Sequence, residues 1–134
     1  MEHKLSCVAD MREIRKILIN EFERYRFYRY TLMPRWEGNE EIPDPTYSPD
    51  QQEAINNYCA KIESAVSMLP CRERDLIQER YLSVESEYLT DIEMYQQRMK
   101  PTISAAAYRS CKNKAMQKLA FYLGMLIRMD SVDD

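Results

Sequence analysis

Residues 100–124 read KPTISAAAYRSCKNKAMQKLAFYLG, and their polar members fall at spacings that suit contact with nucleic acid. Arg109 and Asn113 stand one helical turn apart, with Ser110 on the same face. A guanidinium can bond the O6/N7 edge of guanine through two donors, and a carboxamide can bond the N6/N7 edge of adenine. Lys112 and Lys114 flank that face, where they suit phosphates. Lys100, Thr102 and Ser104 precede the helix, where unbonded backbone N–H groups and the helix dipole favour an anion. Ala105 and Ala106 supply only methyl groups. They allow close approach and can touch a thymine methyl, but they make no hydrogen bond. Direct readout therefore leans on Arg109, Ser110 and Asn113. One good bidentate pair discriminates by about 1–3 kcal/mol, so this helix alone is modestly selective. Dimerisation, or recruitment by a larger machine, would supply the rest.

Charge along the chain supports this reading. The net charge is −3, but it is unevenly spread. Residues 12–35 hold seven basic and three acidic residues, and residues 37–93 hold four basic and fourteen acidic. Residues 94–129 hold seven basic residues and no carboxylate. A solvated helix face explains a short charge run. A long run with no carboxylate points to a polyanion, double-stranded DNA first.

The positioning elements are helical. Glycine occurs twice in 134 residues, while Glu, Arg, Lys, Met, Ala and Leu are common, which favours an all-α fold. Met11, Ile14, Leu18, Tyr25, Tyr28 and Leu32 predict a first amphipathic helix over about residues 9–32. Its second half, EFERYRFYRY, interleaves Arg24, Arg26 and Arg29 with Tyr25, Tyr28 and Tyr30. Such a stretch could stack on bases; packed tyrosines with snorkelling arginines are its commoner use. Residues 34–48, rich in proline and acid, read as a linker, with Trp36 as an anchor.

A second helix follows, capped by Ser48 with Pro49 at its first position and Gln51 closing a capping box. Ile55, Tyr58, Ile62, Ala65, Val66 and Leu69 form its apolar stripe, and Pro70 limits it. The third helix turns Leu76, Ile77, Tyr81 and Leu82 inward. A short fourth helix, capped by Thr90 and Glu93, turns Ile92, Tyr95 and Met99 inward. Ser104 caps the last helix, expected to pass Gly124 and reach about residue 129, with Tyr108, Cys111, Ala115, Leu119 and Tyr122 or Leu123 on its inner face. Short helix, turn and basic helix form a helix-turn-helix order. The division is residues 1–33 as the N-terminal helix, 34–48 as linker and 49–134 as the DNA-binding domain.

Three stretches, AVSMLPCRERDLIQERYL, DIEMYQQ and YRSCKNKAMQKLAFYLG, resemble the ArpU family of phage-related transcriptional regulators. The C-terminal part of that family is similar to the region-four helix-turn-helix of bacterial sigma factors. The matching positions are Leu69-Pro70, Arg80-Tyr81, Ser104 and Ala115 through Ala120. The basic, tyrosine-rich first helix and the proline-containing linker also look like this family, so the likeness covers most of the chain. It implies a regulator of phage or prophage genes, an activator of late genes, that binds DNA and can contact RNA polymerase. Region four of sigma factors reads the −35 promoter element with Arg and Glu at the start of its recognition helix. Here Ala105 and Ala106 occupy those positions, and only the third contact is kept, as Arg109. KPTI replaces the usual Leu-Gly turn, and Pro101 restricts it. These departures argue against the usual promoter code.

Other functions fit less well. There is no P-loop, no His-based dyad and no ligand-spaced Cys/His cluster, so neither an enzyme nor a metal or cofactor is expected. Cys7, Cys59, Cys71 and Cys111 are scattered and read as small buried hydrophobes in a cytoplasmic, reducing setting. No apolar run is long enough to span a membrane, and the N-terminus has no signal-peptide core. The competing expectation is a protein-interaction module that docks on RNA polymerase or another regulator without binding DNA itself. The first helix could fold onto the body or pair with its copy in a homodimer.

Overall fold

The computed structural model describes residues 2–33 and 47–124, which are helical with no strand among them. Helix α1 runs Glu2–Phe27 and widens into a π turn over Tyr28–Leu32. Helix α2 is Pro49–Ser67. Helix α3 is Cys71–Ile77, closing in a second π turn over Gln78–Leu82. A 3-10 turn, Ser86–Tyr88, leads to α4. Helix α4 is Asp91–Glu93, prolonged by a third π turn over Met94–Arg98. Helix α5 is Ala105–Tyr122. This is the all-α architecture expected from composition. Residues 34–46, including Trp36, lie outside the described residues, and with them most of the expected linker. No described helix is long and apolar enough to cross a membrane.

Local chemistry sets most of the boundaries. Helix α1 starts earlier than expected, since residues 2–10 contain neither Pro nor Gly to interrupt it. Ser48 and Gln51 form the expected reciprocal capping box, and so do Thr90 and Glu93. Ser104 Oγ accepts from the Ala107 N–H at 3.0 Å. The last helix is shorter than expected. It ends at Tyr122, because Gly124 takes φ 81, a left-handed geometry that terminates helices and favours glycine. The remainder of the expected span, residues 125–129, lies outside the described residues.

All five helices share one core. Ile14, Leu18, Phe22 and Tyr25 of α1 join Ile62 and Val66 of α2, Leu76 and Ile77 of α3, Met94 of α4, and Ala115, Met116 and Leu119 of α5. Phe22, absent from the stripe read in the sequence, is fully buried and stacks on Tyr81 at 5.2 Å between ring centroids. Helix α1 thus folds onto the body, and its apolar stripe is used within the chain. Two expectations about burial are corrected. Ile92 is 55% exposed and Met94 takes the inward place, because Asp91 is held toward α3 and α5 and Met94, three residues on, shares its face. Among the described cysteines Cys59 is buried and Cys111 half-buried, but Cys71 is exposed, since it opens the solvent-facing first turn of α3.

The Arg/Tyr-rich stretch is a tertiary staple. The Tyr25 hydroxyl donates to Glu63 at 2.6 Å, and Arg29 pairs with the same carboxylate at 3.5 Å. Tyr28 meets the edge of Tyr58 at 5.6 Å. Arg26 donates to the carbonyl of Tyr81, and the Tyr30 hydroxyl donates to that of Leu82 at 2.9 Å. Those carbonyls end α3 and have no partner within it, so α1 caps α3 in trans. Phe22→Ala is expected to lower stability by about 3–5 kcal/mol, whereas Ile92→Ala stays within about 0.5 kcal/mol. Urea unfolding of both variants measures the contrast, and comparable losses would contradict the assigned facing of α4.

Candidate nucleic-acid interface

One carboxylate ties α4 to α3 and α5. Asp91, at the first position of α4, accepts from Arg80 Nε of α3 at 2.9 Å. It also accepts from the Tyr108 hydroxyl at 2.7 Å and from Lys112 Nζ at 2.9 Å, both on α5. Burial alone would raise the Asp91 carboxyl, but the bonds from Lys112, Tyr108 and Arg80 outweigh it and hold the group below the ordinary carboxylate range. The Tyr108 phenol moves the other way, upward, by burial first and by its bond to the Asp91 anion second. Aromatic faces close the site: Arg80 lies 4.8 Å from the Tyr81 ring centroid, Lys112 lies 5.7 Å from that of Tyr108, and Tyr95 packs on Tyr108 at 5.5 Å. Between α4 and α5 the chain turns through a cis Lys100–Pro101 peptide bond.

The positive run of the last third of the chain is partly neutralised in space. Arg98 pairs with Glu79 and, at 3.0 Å, with Glu85. Lys112 is taken by Asp91, and Lys118 donates to both oxygens of the buried Glu73 at 3.0 Å. Acids of the middle segment therefore answer three of the six described cations in residues 94–124. Lys100, Arg109 and Lys114 remain exposed with no ion pair among the described residues.

The residues singled out by sequence differ in where the fold places them. Arg109, Ser110, Lys114 and Ala106 share the exposed face of α5, and Lys100 and Thr102 are exposed in the turn that leads to it. Ala105 is half-buried at the first helical position. Ser104 spends its hydroxyl on the cap. Lys112 is turned into the Asp91 cluster, its side chain only 16% exposed. Asn113 is half-buried, and its carbonyl oxygen accepts from Arg15 Nη1 of α1 at 3.4 Å. That contact turns one acceptor position of the Asn113 carboxamide toward α1.

Sequence spacing gave no sign of the Asp91 cluster. Its partners stand 11, 17 and 21 residues away, and Asp directly after an N-cap is ordinary helix-start chemistry. Comparison with protein-family models, with curated proteins and with solved structures finds no match to this chain.

Asp91→Asn keeps the shape but removes the charge that draws three donors together. Asp91 is 38% exposed, so solvent screening trims the effect, and a loss of about 1–2 kcal/mol is expected at neutral pH. Because the folded carboxyl sits below its unfolded value, this stability is complete above about pH 4 and fades as the pH falls further. Chemical denaturation at pH 7 and pH 3 should show the gap between wild type and variant closing in acid; a gap that widens would contradict the clamp.

Proposed function

We propose that this chain is a DNA-binding transcription regulator that presents α5 to the duplex through a helix-turn-helix formed by α4, the Met99–Ser104 turn and α5. The observation that carries the reading is the selective pairing of charge: among the described residues, Lys100, Arg109 and Lys114 are left unpaired around one exposed face while their neighbours are neutralised. Arg109 reads a base edge, with Ser110 beside it. Lys100, Thr102 and Lys114 hold phosphates. Ala105 and Ala106 let the helix start approach closely. Lys112 and Asn113 act inside the protein, Lys112 through Asp91 and Asn113 through Arg15.

The resemblance to ArpU regulators and to sigma region four supports the same reading and gives it a class, a phage or prophage regulator working in the bacterial cytoplasm on late genes. Alanine at the first two positions of α5 argues for a target other than the usual −35 element. With one strong base-reading side chain, site choice needs help from RNA polymerase or a second copy of the chain. A dimer would use the outer surface of α1, because its apolar stripe is buried.

A second reading, docking on RNA polymerase without independent DNA binding, draws support from Val84, Tyr88 and Ile92. These lie 66%, 84% and 55% exposed along the approach to α4 and in its first turn. A mobility-shift assay on phage DNA with and without polymerase separates the two; a shift only with polymerase favours docking.

For the first reading, Arg109→Ala is expected to lower affinity for the specific site about tenfold or more, roughly 1–3 kcal/mol, and to change random DNA little. Lys114→Ala should weaken all DNA about equally and reduce the salt slope by about one. Equal losses on both DNAs for Arg109→Ala would assign Arg109 to phosphate. Wild-type protein that shifts no DNA at moderate salt would overturn the reading.

A further inference from the structure

Helix α1 brings a second group of cations to the edge of α5. Arg12, Arg15 and Lys16 stand three and four residues apart, so they share one flank of α1 beside the core positions Met11, Ile14 and Leu18. Arg15 reaches Asn113 of α5 at 3.4 Å, and Asn113 lies one turn beyond Arg109 on the same row. The two cationic rows therefore meet at the Arg15–Asn113 contact. Arg12 and Lys16 are exposed, and none of the three has an ion pair among the described residues. The turn Arg12–Lys16 carries these three cations against the single carboxylate of Glu13. The bond to Asn113 uses one of the five guanidinium N–H donors of Arg15 and steadies the group at the junction, leaving the others for an anion.

We infer that Arg12, Arg15 and Lys16 form a second phosphate-binding strip, so that a duplex seated on Arg109 and Lys114 is gripped along its backbone by both α1 and α5. This rests on the reading of α5 as the DNA-facing helix. A strip on α1 carries no base information. It adds affinity for any sequence and steepens the dependence on salt, because each neutralised phosphate releases counterions. The two ends of the chain then make one composite surface, and Asn113 is a positioning residue for Arg15.

The test compares four variants with wild type on specific and random duplexes, following log K against log salt, with thermal unfolding as the folding control. Arg12→Gln/Arg15→Gln/Lys16→Gln is expected to weaken both duplexes about equally and to make the slope shallower by about two to three. Arg12→Gln/Lys16→Gln, which leaves the Asn113 bond intact, should make it shallower by about one to two. Lys61→Ala, on exposed α2, should change nothing. Unchanged slopes in both α1 variants, together with a shallower slope in Arg109→Ala/Lys114→Ala, would overturn the α1 strip and leave α5 standing. Wild type that binds neither duplex would remove both readings. An effect of the α1 variants confined to a polymerase-dependent shift would overturn the strip in favour of protein docking.

Discussion

The Asp91 carboxylate is the constraint that joins the short helix α4 to α3 and α5. It is a single anion at the start of a short helix, and it collects Arg80 from α3 and Tyr108 and Lys112 from α5. A helix as short as α4 has little stability of its own. Its angle is set by what holds it, and here that is a charged anchor with three donors together with the buried Met94. The raised Tyr108 phenol stays a donor at any ordinary pH. Protonation of Asp91 in acid therefore weakens the clamp.

A second consequence concerns charge. The acid-rich middle of the chain folds against the basic last third, and Glu73, Glu79, Glu85 and Asp91 meet Lys118, Arg98 and Lys112. Among the described residues, a smaller set of cations at defined places remains unpaired. Such pairing lowers the field that would draw the protein to every polyanion and leaves the exposed row of α5 as the positive feature of that segment. The Arg/Tyr stretch of α1 shows the same economy in the opposite sense. Its donors are engaged in holding Glu63 and the carbonyls of Tyr81 and Leu82, so a composition that suits nucleic acid becomes the staple joining α1, α2 and α3.

Much of the architecture was legible in local chemistry. The caps at Ser48, Thr90 and Ser104 depend on residues three apart, and each was readable for that reason. The inner face of α5 was readable too, since Tyr108, Ala115 and Leu119 follow a regular helical period. In α4 the reading failed: Ile92 was expected inside and Met94 was not, because the Asp91 anchor, which no spacing shows, sets the facing of that helix. Gly124 could be read as a tolerated interior residue or a stop, and only its backbone angle decides. At the candidate site, the exposure of Arg109 and Lys114 followed from spacing. The removal of Lys112 and the approach of Arg15 to Asn113 did not, since 98 residues separate that last pair. Contacts at such separations come from the packing of whole helices.

Amide chemical-shift mapping of the folded protein titrated with a short duplex tests most directly the proposal that α5 faces DNA. The expected result is a set of perturbed amides running from Lys100 and Thr102 through Ala106, Arg109, Ser110 and Lys114, with those around Arg98 and Lys118, whose cations are already paired, nearly still. Shifts centred on α2, or on Val84, Tyr88 and Ile92 with α5 unaffected, would contradict it.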